Sequence, residues 1–541
     1  MIVLYFLHEV FPVSNSEAER RTDGLSTSYM IGVDIGTTST KAVLFEENGT
    51  IVAQSNQGYP LHQPSPSVAE QDPEQILEAV IHTIAAVMQE SLAAPEDILL
   101  VSFSSAMHSV IAVDPAGKPL TACITWADNR SSRCARRLKD ELNGHELYLR
   151  TGTPIHPMSP ITKLMWLGEE QPELFRQTYK FISIKEYIFF RLFGEYVIDH
   201  SIASATGMFN LEKLDWDEEA LQIAGVTPER LSRPVPTTHI LQGLLPELTG
   251  KLGLLKDTPF VAGASDGVLS NLGVGAMEPG VIAATIGTSG AIRTVVDHPL
   301  TDPKGRIFCY ALTDKHWVIG GPVNNGGMLF RWVRDEFAAS EVETAKRLGI
   351  DPYEVLTRIA EQVPPGSNGL LFHPYLTGER APLWNPDARG SFFGLSMHHR
   401  KEHMIRAVLE GVIFNMYTVL LAMEECIGEP VRILATGGFA RSALWRQMMA
   451  DIFDQEVVVP ESFESSCLGA VVLGLYAIRR IDSFDAVYSM IGSTHRHEPV
   501  TAHAKAYKQL LPIFISVSRS LEDQYQAIAD FQREQAGEQR G

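Results

Sequence analysis

One short pattern occurs twice in this chain of 541 residues. The first copy runs Ile31-Gly32-Val33-Asp34-Ile35-Gly36-Thr37-Thr38-Ser39-Thr40-Lys41 and continues as Ala42-Val43-Leu44-Phe45. The second runs Val281-Ile282-Ala283-Ala284-Thr285-Ile286-Gly287-Thr288-Ser289-Gly290 and continues from Ala291 to Val296. Each copy reads as a buried strand, a glycine turn rich in small hydroxyl residues, and a second strand. More strands follow each: Ile51-Val52-Ala53 after the first, residues 306–312 and 316–319 after the second. An internal duplication is the economical interpretation. Backbone N–H groups of such a turn bind an anion, and a carboxylate just before it holds the accompanying cation. Two facing halves would enclose a nucleotide cleft with one phosphate turn from each. The plain alternative is a pair of ordinary hairpins with a solvated Asp34, and the second copy weighs against it.

A chain this long exceeds one hydrophobic core, so two large domains are expected. The formal net charge is −20. A surface that acidic disfavours nucleic acid and anionic membranes as partners, and any anionic ligand needs a local cradle. The five cysteines, Cys123, Cys134, Cys309, Cys426 and Cys467, are odd in number, widely spaced and free of any CxxC. That argues against a disulfide framework or a structural zinc site and for a reducing, cytoplasmic setting. No run reaches the roughly 18–20 apolar residues of a membrane span. Residues 1–29 start apolar, turn polar and stop just before the first strand, with Met30 at its head. They are expected to be a disordered or mis-assigned extension. The expected domains are then 30–275 and 276–520, with a polar tail over 521–541 that frays after about Ala527.

Along the first half, Asn48-Gly49 predicts a type I′ hairpin turn. Asp72-Pro73-Glu74 predicts a capped helix start, with Ile76, Leu77, Val80, Ile84 and Met88 on its buried face. The strand Ile98 to Phe103 completes an α/β unit with a mixed sheet. Met107-His108 lies beyond that strand's C-terminal end, where ligands of open α/β sheets bind; alternatively His108 is a satisfied loop histidine. Trp126-Ala127-Asp128-Asn129-Arg130 joins an aromatic plane to groups that bind hydroxyls, and Arg130 suits a carboxylate. The alternative is a helix start with Asp128 as cap. Lys185, in an apolar helical run from Phe181 to Phe193, is expected to snorkel to the surface. The strand Pro259 to Ser265 ends in Asp266-Gly267, which places Asp266 as a general base or metal ligand, or as a helix cap. Gly320 to Gly327 predicts a glycine-rich loop before a helix. Gly437-Gly438 predicts a tight turn leading through Ser442 into a helix, open to a flat base or a phosphate. The run from Gly469 to Gly474 predicts a small-residue helix for close packing.

In this order the segments resemble the FGGY carbohydrate kinases of the actin-like ATPase superfamily, over roughly residues 30–500. Met158-x-Pro160-x-x-Lys163-Leu164-x-Trp166-Leu167-x-Glu169-Glu170 is similar to the family's first signature. Gly390-x-Phe392-x-Gly394-Leu395, with His403-Met404 and Ala407 to Glu410, is similar to the second. The resemblance implies two actin-like (ribonuclease H-like) α/β domains, each a mixed sheet flanked by helices, with an interdomain cleft. It implies ATP and Mg²⁺, with Asp34 toward the metal and Gly36, Thr37 and Thr38 toward the phosphates. It implies Asp266 as catalytic base, Gly287, Thr288 and Ser289 as the second phosphate turn, and Gly326, Gly437, Gly438 and Ser442 around adenosine. It implies Met107, His108, Trp126, Asp128, Arg130 and Lys185, with Asp266, as substrate contacts. Relatives often carry Gln or Asn after the catalytic Asp; Gly267 departs from that pattern. Residues 126–130, 183–187 and 377–385 look most like the gluconate kinases of the family, which implies phosphorylation of D-gluconate to 6-phosphogluconate. Xylulose, ribulose or glycerol remain alternative substrates, and an actin- or chaperone-like ATPase module is the alternative from another class. A homodimer follows by analogy alone.

Overall fold

The first copy of the repeat folds as β1 (Tyr29–Ile35) and β2 (Ser39–Glu46), antiparallel with Asp34 opposite Lys41. The computed structural model of the chain describes residues 28–65, 67–460, 464–492 and 494–535. Residues 1–27, most of the expected extension, therefore lie outside the described residues. Strand β3 (Ile51–Gly58) returns along β2. The connection is not a type I′ turn, because Gly49 alone has a positive φ, at 87°. Asn48 instead accepts the Thr50 N–H on its side chain at 2.8 Å, an Asx turn that keeps its own backbone ordinary.

Asp72 caps α1 (Pro73–Ser91) by accepting the Glu74 N–H at 2.9 Å, and the expected apolar face is buried. Each such residue contributes about 1.5–3 kcal/mol on leaving water. Strand β4 (Ile98–Ser105) runs parallel to β1; the short β5 (Ile240–Leu241) edges β6 (Phe260–Ser265), itself parallel to β4. The sheet order is β5-β6-β4-β1-β2-β3.

The second sheet repeats the plan. Its strands are β7 (Val281–Ile286), β8 (Gly290–Val296), β9 (Phe308–Ala311), β10 (Trp317–Val323), β11 (Arg432–Thr436), β12 (Val457–Pro460) and β13 (Thr494–His497), in the order β9-β10-β8-β7-β11-β12-β13. Outward from β1 or β7, each sheet has antiparallel strands on one side and two parallel strands on the other. The register repeats as well: Asp34 lies opposite Ser104, and Thr285 opposite Thr436. Gly320 and Gly321 belong to β10 rather than to a loop. Gly320 packs so closely on β8 that a Cβ there would sit 2.1 Å from the Ile292 carbonyl oxygen. The loop is only Asn324 to Gly327.

Seven further helices matter for the site: α2 (Pro160–Glu170), α3 (Ile184–Phe193), α4 (Asp266–Gly273), α5 (Met328–Phe337), α6 (Lys401–Ile427), α7 (Ala443–Phe453) and α8 (Ser465–Ala477). Helix α4 of the first half crosses α8 of the second through glycines. A Cβ on Gly273 would lie 1.8 Å from the Ser465 carbonyl oxygen, and one on Gly469 would lie 2.0 Å from that of Leu269. Only glycine permits backbones this close. The crossing sits in a hydrophobic cluster shared by both halves, including Met30, Phe45, Leu269, Leu272, Val295 and Val471. It holds the start of α4, and so Asp266, between the two sheets.

By length and mean hydropathy α6 is apolar enough to cross a membrane, although charged residues interrupt it before any apolar run reaches membrane-span length. Of its most apolar window, 78% is buried inside the protein, and its Arg406–Glu410 pair at 2.7 Å lies within that core. The tail does not fray at Ala527: Glu522–Gln535 is helical, with Tyr525 and Ala529 buried.

Candidate active site

Both Gly-Thr turns open on one cleft of about 2190 Å³, lined by Thr37, Thr38, Thr288 and Ser289 together with Trp126 and Arg380. In each turn the glycine N–H closes back on a downstream carbonyl, across three residues in the first and two in the second. Gly36 N–H donates to Ser39 O at 3.0 Å, and Gly287 N–H donates to Ser289 O at 2.9 Å. Side chains brace the first turn: the Tyr59 hydroxyl donates to Gly36 O at 2.6 Å, Gln71 Nε2 donates to Thr37 O at 2.6 Å, and Trp126 Nε1 donates to the Thr37 hydroxyl at 2.9 Å. Backbone braces the second: Gly326 N–H reaches Thr288 O at 3.2 Å, and Gly327 N–H reaches Gly287 O at 2.7 Å.

Asp34 is the next-to-last residue of β1, with Ser104 donating to its Oδ1 at 2.7 Å. Burial, and then the neighbouring Asp266, push its carboxyl up to about 6 against the pull of Ser104. A carboxylate raised by a second carboxylate is relieved by a cation. Among the described residues no group of three or more His, Cys, Asp or Glu side chains gathers as a metal cage. A single carboxylate beside hydroxyl groups fits a hard cation that keeps most of its own water, as Mg²⁺ does.

Asp266 opens α4, its Oδ1 accepting the Gly267 N–H at 2.7 Å. Burial raises its carboxyl above the ordinary range, opposed by the charges of Arg293 and Arg380. Met107 and His108 follow β4. His108 is buried, in the left-handed region at φ 68°, with Nδ1 donating to Ala205 O at 2.7 Å. Burial, reinforced by the charge of Lys163, lowers this ring to about 3, so it is neutral at physiological pH. Lys163 is itself buried and donates to His108 O at 2.8 Å and to Met158 O. The first signature's lysine therefore carries the backbone that presents His108.

Several expected contacts lie elsewhere. Asp128 is 1% exposed and accepts from Ala69 N, Arg130 N and Arg130 Nε. It holds a turn and aims Arg130, beneath the reach of a substrate. It does not cap the following helix, which begins only at Ser132. Arg130 borders the cleft, but it is paired with Asp128 and Glu70 and stacked 4.6 Å from the Trp166 ring centroid. Lys185 does not snorkel. It is 1% exposed and bonds Asp199 at 2.8 Å and Ala264 O at 3.1 Å, because Asp199 supplies a buried partner that sequence distance hides. Gly437, at φ 99°, lies against β7, where a Cβ would meet the Ile286 carbonyl oxygen at 2.3 Å. A Cβ on Gly438 would meet nothing within 4 Å, so that residue presents an open face. Ser442 caps α7, accepting the Trp445 N–H at 3.3 Å.

Sequence reasoning gave no role to Glu379, Arg380, Arg293 or Tyr310, although residues 377–385 carried part of the resemblance. Glu379 is fully buried and accepts from Asn324 N at 2.5 Å, Asn325 Nδ2 at 3.2 Å, Arg380 N at 2.8 Å and Asn415 Nδ2 at 2.9 Å. It fixes the loop that aims Arg380, whose guanidinium stacks 4.7 Å from the Trp126 ring centroid. Arg293 projects from β8 toward Gly267, and the Tyr310 ring packs edge-on to His108 at 6.0 Å. One signal was available: an arginine inside the apolar run Ala291 to Val296 is out of place unless it meets something.

Comparison with known proteins agrees with this architecture. Residues 29–273 match the FGGY family of carbohydrate kinases, N-terminal domain, and residues 282–478 match the C-terminal domain of that family. The chain is 68% identical over 509 residues to a gluconokinase of Bacillus subtilis, covering 94% of this chain and 99% of that one. A gluconate kinase structure from Lactobacillus acidophilus superposes with a TM-score of 0.88 at 39% identity, covering 93% and 100%. A structure titled ligand-bound xylulose kinase, from the same organism, gives 0.87 at 39% with the same coverage. With both domains matched in order over most of its length, the chain belongs to the FGGY family of carbohydrate kinases.

Proposed function

We propose that the chain transfers the γ-phosphoryl group of ATP to the terminal hydroxyl of D-gluconate, giving 6-phosphogluconate. The observation that carries the chemistry is Asp266: a buried carboxyl of raised pKa at a helix start between two phosphate-type turns that share one cleft. The 68% identity to a gluconokinase carries the choice of acceptor. Asp266 accepts the hydroxyl proton as that oxygen bonds the γ-phosphorus and the bond to the bridging oxygen breaks. The turns at Gly36 to Thr38 and Gly287 to Ser289 offer N–H and hydroxyl donors to the phosphate oxygens. Their preorganisation supplies most of the rate enhancement in a reaction of this type. Asp34 is the residue to hold Mg²⁺, which when bound neutralises phosphate charge. Gly438 offers the open face for adenosine, and Trp126 with His108 borders the acceptor. The five free cysteines fit a reducing compartment such as the cytoplasm.

The xylulose kinase title at the same 39% identity supports a second acceptor, the ketose. A phosphorylation screen over gluconate, xylulose, ribulose and glycerol separates them. The expected outcome is a kcat/KM for gluconate far above the other three; comparable or higher turnover of xylulose would overturn the assignment.

A further inference from the structure

Gly267 and Arg293 fit together. A Cβ built on Gly267 would come 3.0 Å from Nε and 3.0 Å from Nη2 of Arg293, so the glycine leaves the space that the guanidinium fills beside Asp266. The flanking residues Ile292 and Thr294 are fully buried, and Arg293 Nε is buried without a hydrogen-bond partner. No ion pair or hydrogen bond meets this guanidinium among the described residues. The Asp266 charge acts on it without forming such a pair.

Among the described residues, Arg432 Nε is also buried without a partner, but the Lys and Arg side chains that are buried outright are answered. Lys185 has Asp199, Arg406 has Glu410, Lys163 has two carbonyl oxygens, and Arg380 has Asn324 Oδ1 at 2.7 Å. Arg380 faces the cleft and adds a second positive charge near Arg293 and Asp266. The charges of Asp266 and Glu379 act on these two guanidinium groups, yet among the described residues neither carboxylate forms a side-chain pair with them, which leaves N–H donors on both open to a further anion.

That anion is not one of the phosphates bound by the second turn. Arg293 stands three residues along β8 from Gly290, roughly 10 Å of strand beyond the turn. Nor do Arg130 and Lys185 compete for it, since both are neutralised by internal acids.

We propose that the carboxylate of the sugar acid binds between Arg293 and Arg380, and that Arg293 makes the site select an acid over the corresponding neutral polyol. The inference rests on the sugar-acid kinase assignment above. A planar guanidinium pairs with a carboxylate through two parallel N–H donors, which a lysine cannot reproduce.

The test compares gluconate with glucitol, the same carbon chain without the carboxylate, by kcat/KM and by calorimetric Kd, so that slow turnover of the neutral polyol does not matter. In Arg293→Met the gluconate-to-glucitol ratio should fall about 100-fold, chiefly through KM and Kd for gluconate, with partial recovery in Arg293→Lys. Gly267→Ala leaves the arginine in place but crowds it, and should lower the same ratio several-fold. Thermal unfolding of each variant checks that the fold survives. Equal losses on both acceptors would assign Arg293 to the phosphate side and overturn the proposal, as would an unchanged ratio in a folded Arg293→Met and Gly267→Ala. Wild-type protein that neither binds nor phosphorylates gluconate would instead break the acceptor assignment itself.

Discussion

The two halves carry the same device with one exchange. Asp34 and Thr285 occupy matching positions, each at or near the end of a central strand, and each bonds across to the parallel neighbour. Ser104 donates to Asp34 at 2.7 Å, and the Thr285 and Thr436 hydroxyls lie 3.1 Å apart. The turns that follow differ by one residue: Gly36 N–H closes on Ser39 O, and Gly287 N–H closes on Ser289 O. The first half puts a carboxylate where the second puts a hydroxyl, and so only the first can hold a cation. In the first half Asp266 follows directly on β6 and opens α4. On the function proposed above, both turns cradle phosphate, metal and proton chemistry belong to the first half, and the second keeps an open glycine beside its turn.

Three substitutions test that division, and Asp266→Asn should have the largest effect. Removing the proposed base should cost about 10²–10⁴-fold in kcat with ATP binding retained, measured by steady-state kinetics and nucleotide titration. Near-normal turnover would leave Asp266 only a structural residue in the first turn of α4, where Ser265 and not Asp266 is the N-cap.

Asp34→Asn comes next. Turnover with MgATP should fall on the order of 100-fold, with sugar binding little changed; equal loss of both would merge the two acidic roles. The same change should stabilise the metal-free fold. The folded carboxyl sits at about 6 against an ordinary 3.8, so its neutral form is favoured in the native state. The resulting cost is absent below the ordinary value, grows between the two, and is complete above the folded one. It amounts to at most about 3 kcal/mol. The variant should therefore melt higher than wild type at pH 8 in chelator and no higher at pH 3.5. A gain at both pH values would point to packing instead of charge.

Thr285→Val should have the smallest effect. It removes one hydroxyl pair, worth about 1 kcal/mol of stability, and leaves turnover close to wild type. A loss as large as that of Asp34→Asn would erase the asymmetry between the halves.

Much of the fold was legible because strand–turn–strand units are local. Their strand periodicity, the glycine turns and the Asp72-Pro73 cap depend on neighbours in sequence, and the structure returns them within a few residues. The misjudged elements depended on distant partners. Asn48 took an Asx turn because its side chain competed for the backbone. Gly320 and Gly321 joined a strand because β8 lies against them.

The sequence by itself determined the family, the duplicated cradle and the candidate acid Asp266, since short spaced motifs carry them. Only the tertiary structure decided which charges are spoken for. Lys185 and Asp128, both plausible ligands on paper, meet partners 14 and 59 residues away. Arg293, unremarked in its strand, meets the space left by Gly267 and no fixed acid. Charge neutralisation acts over a few ångströms in space and is indifferent to separation along the chain. For that reason the cradle could be read from the sequence, while the groups beside Asp266 that suit an acidic acceptor emerged only on folding.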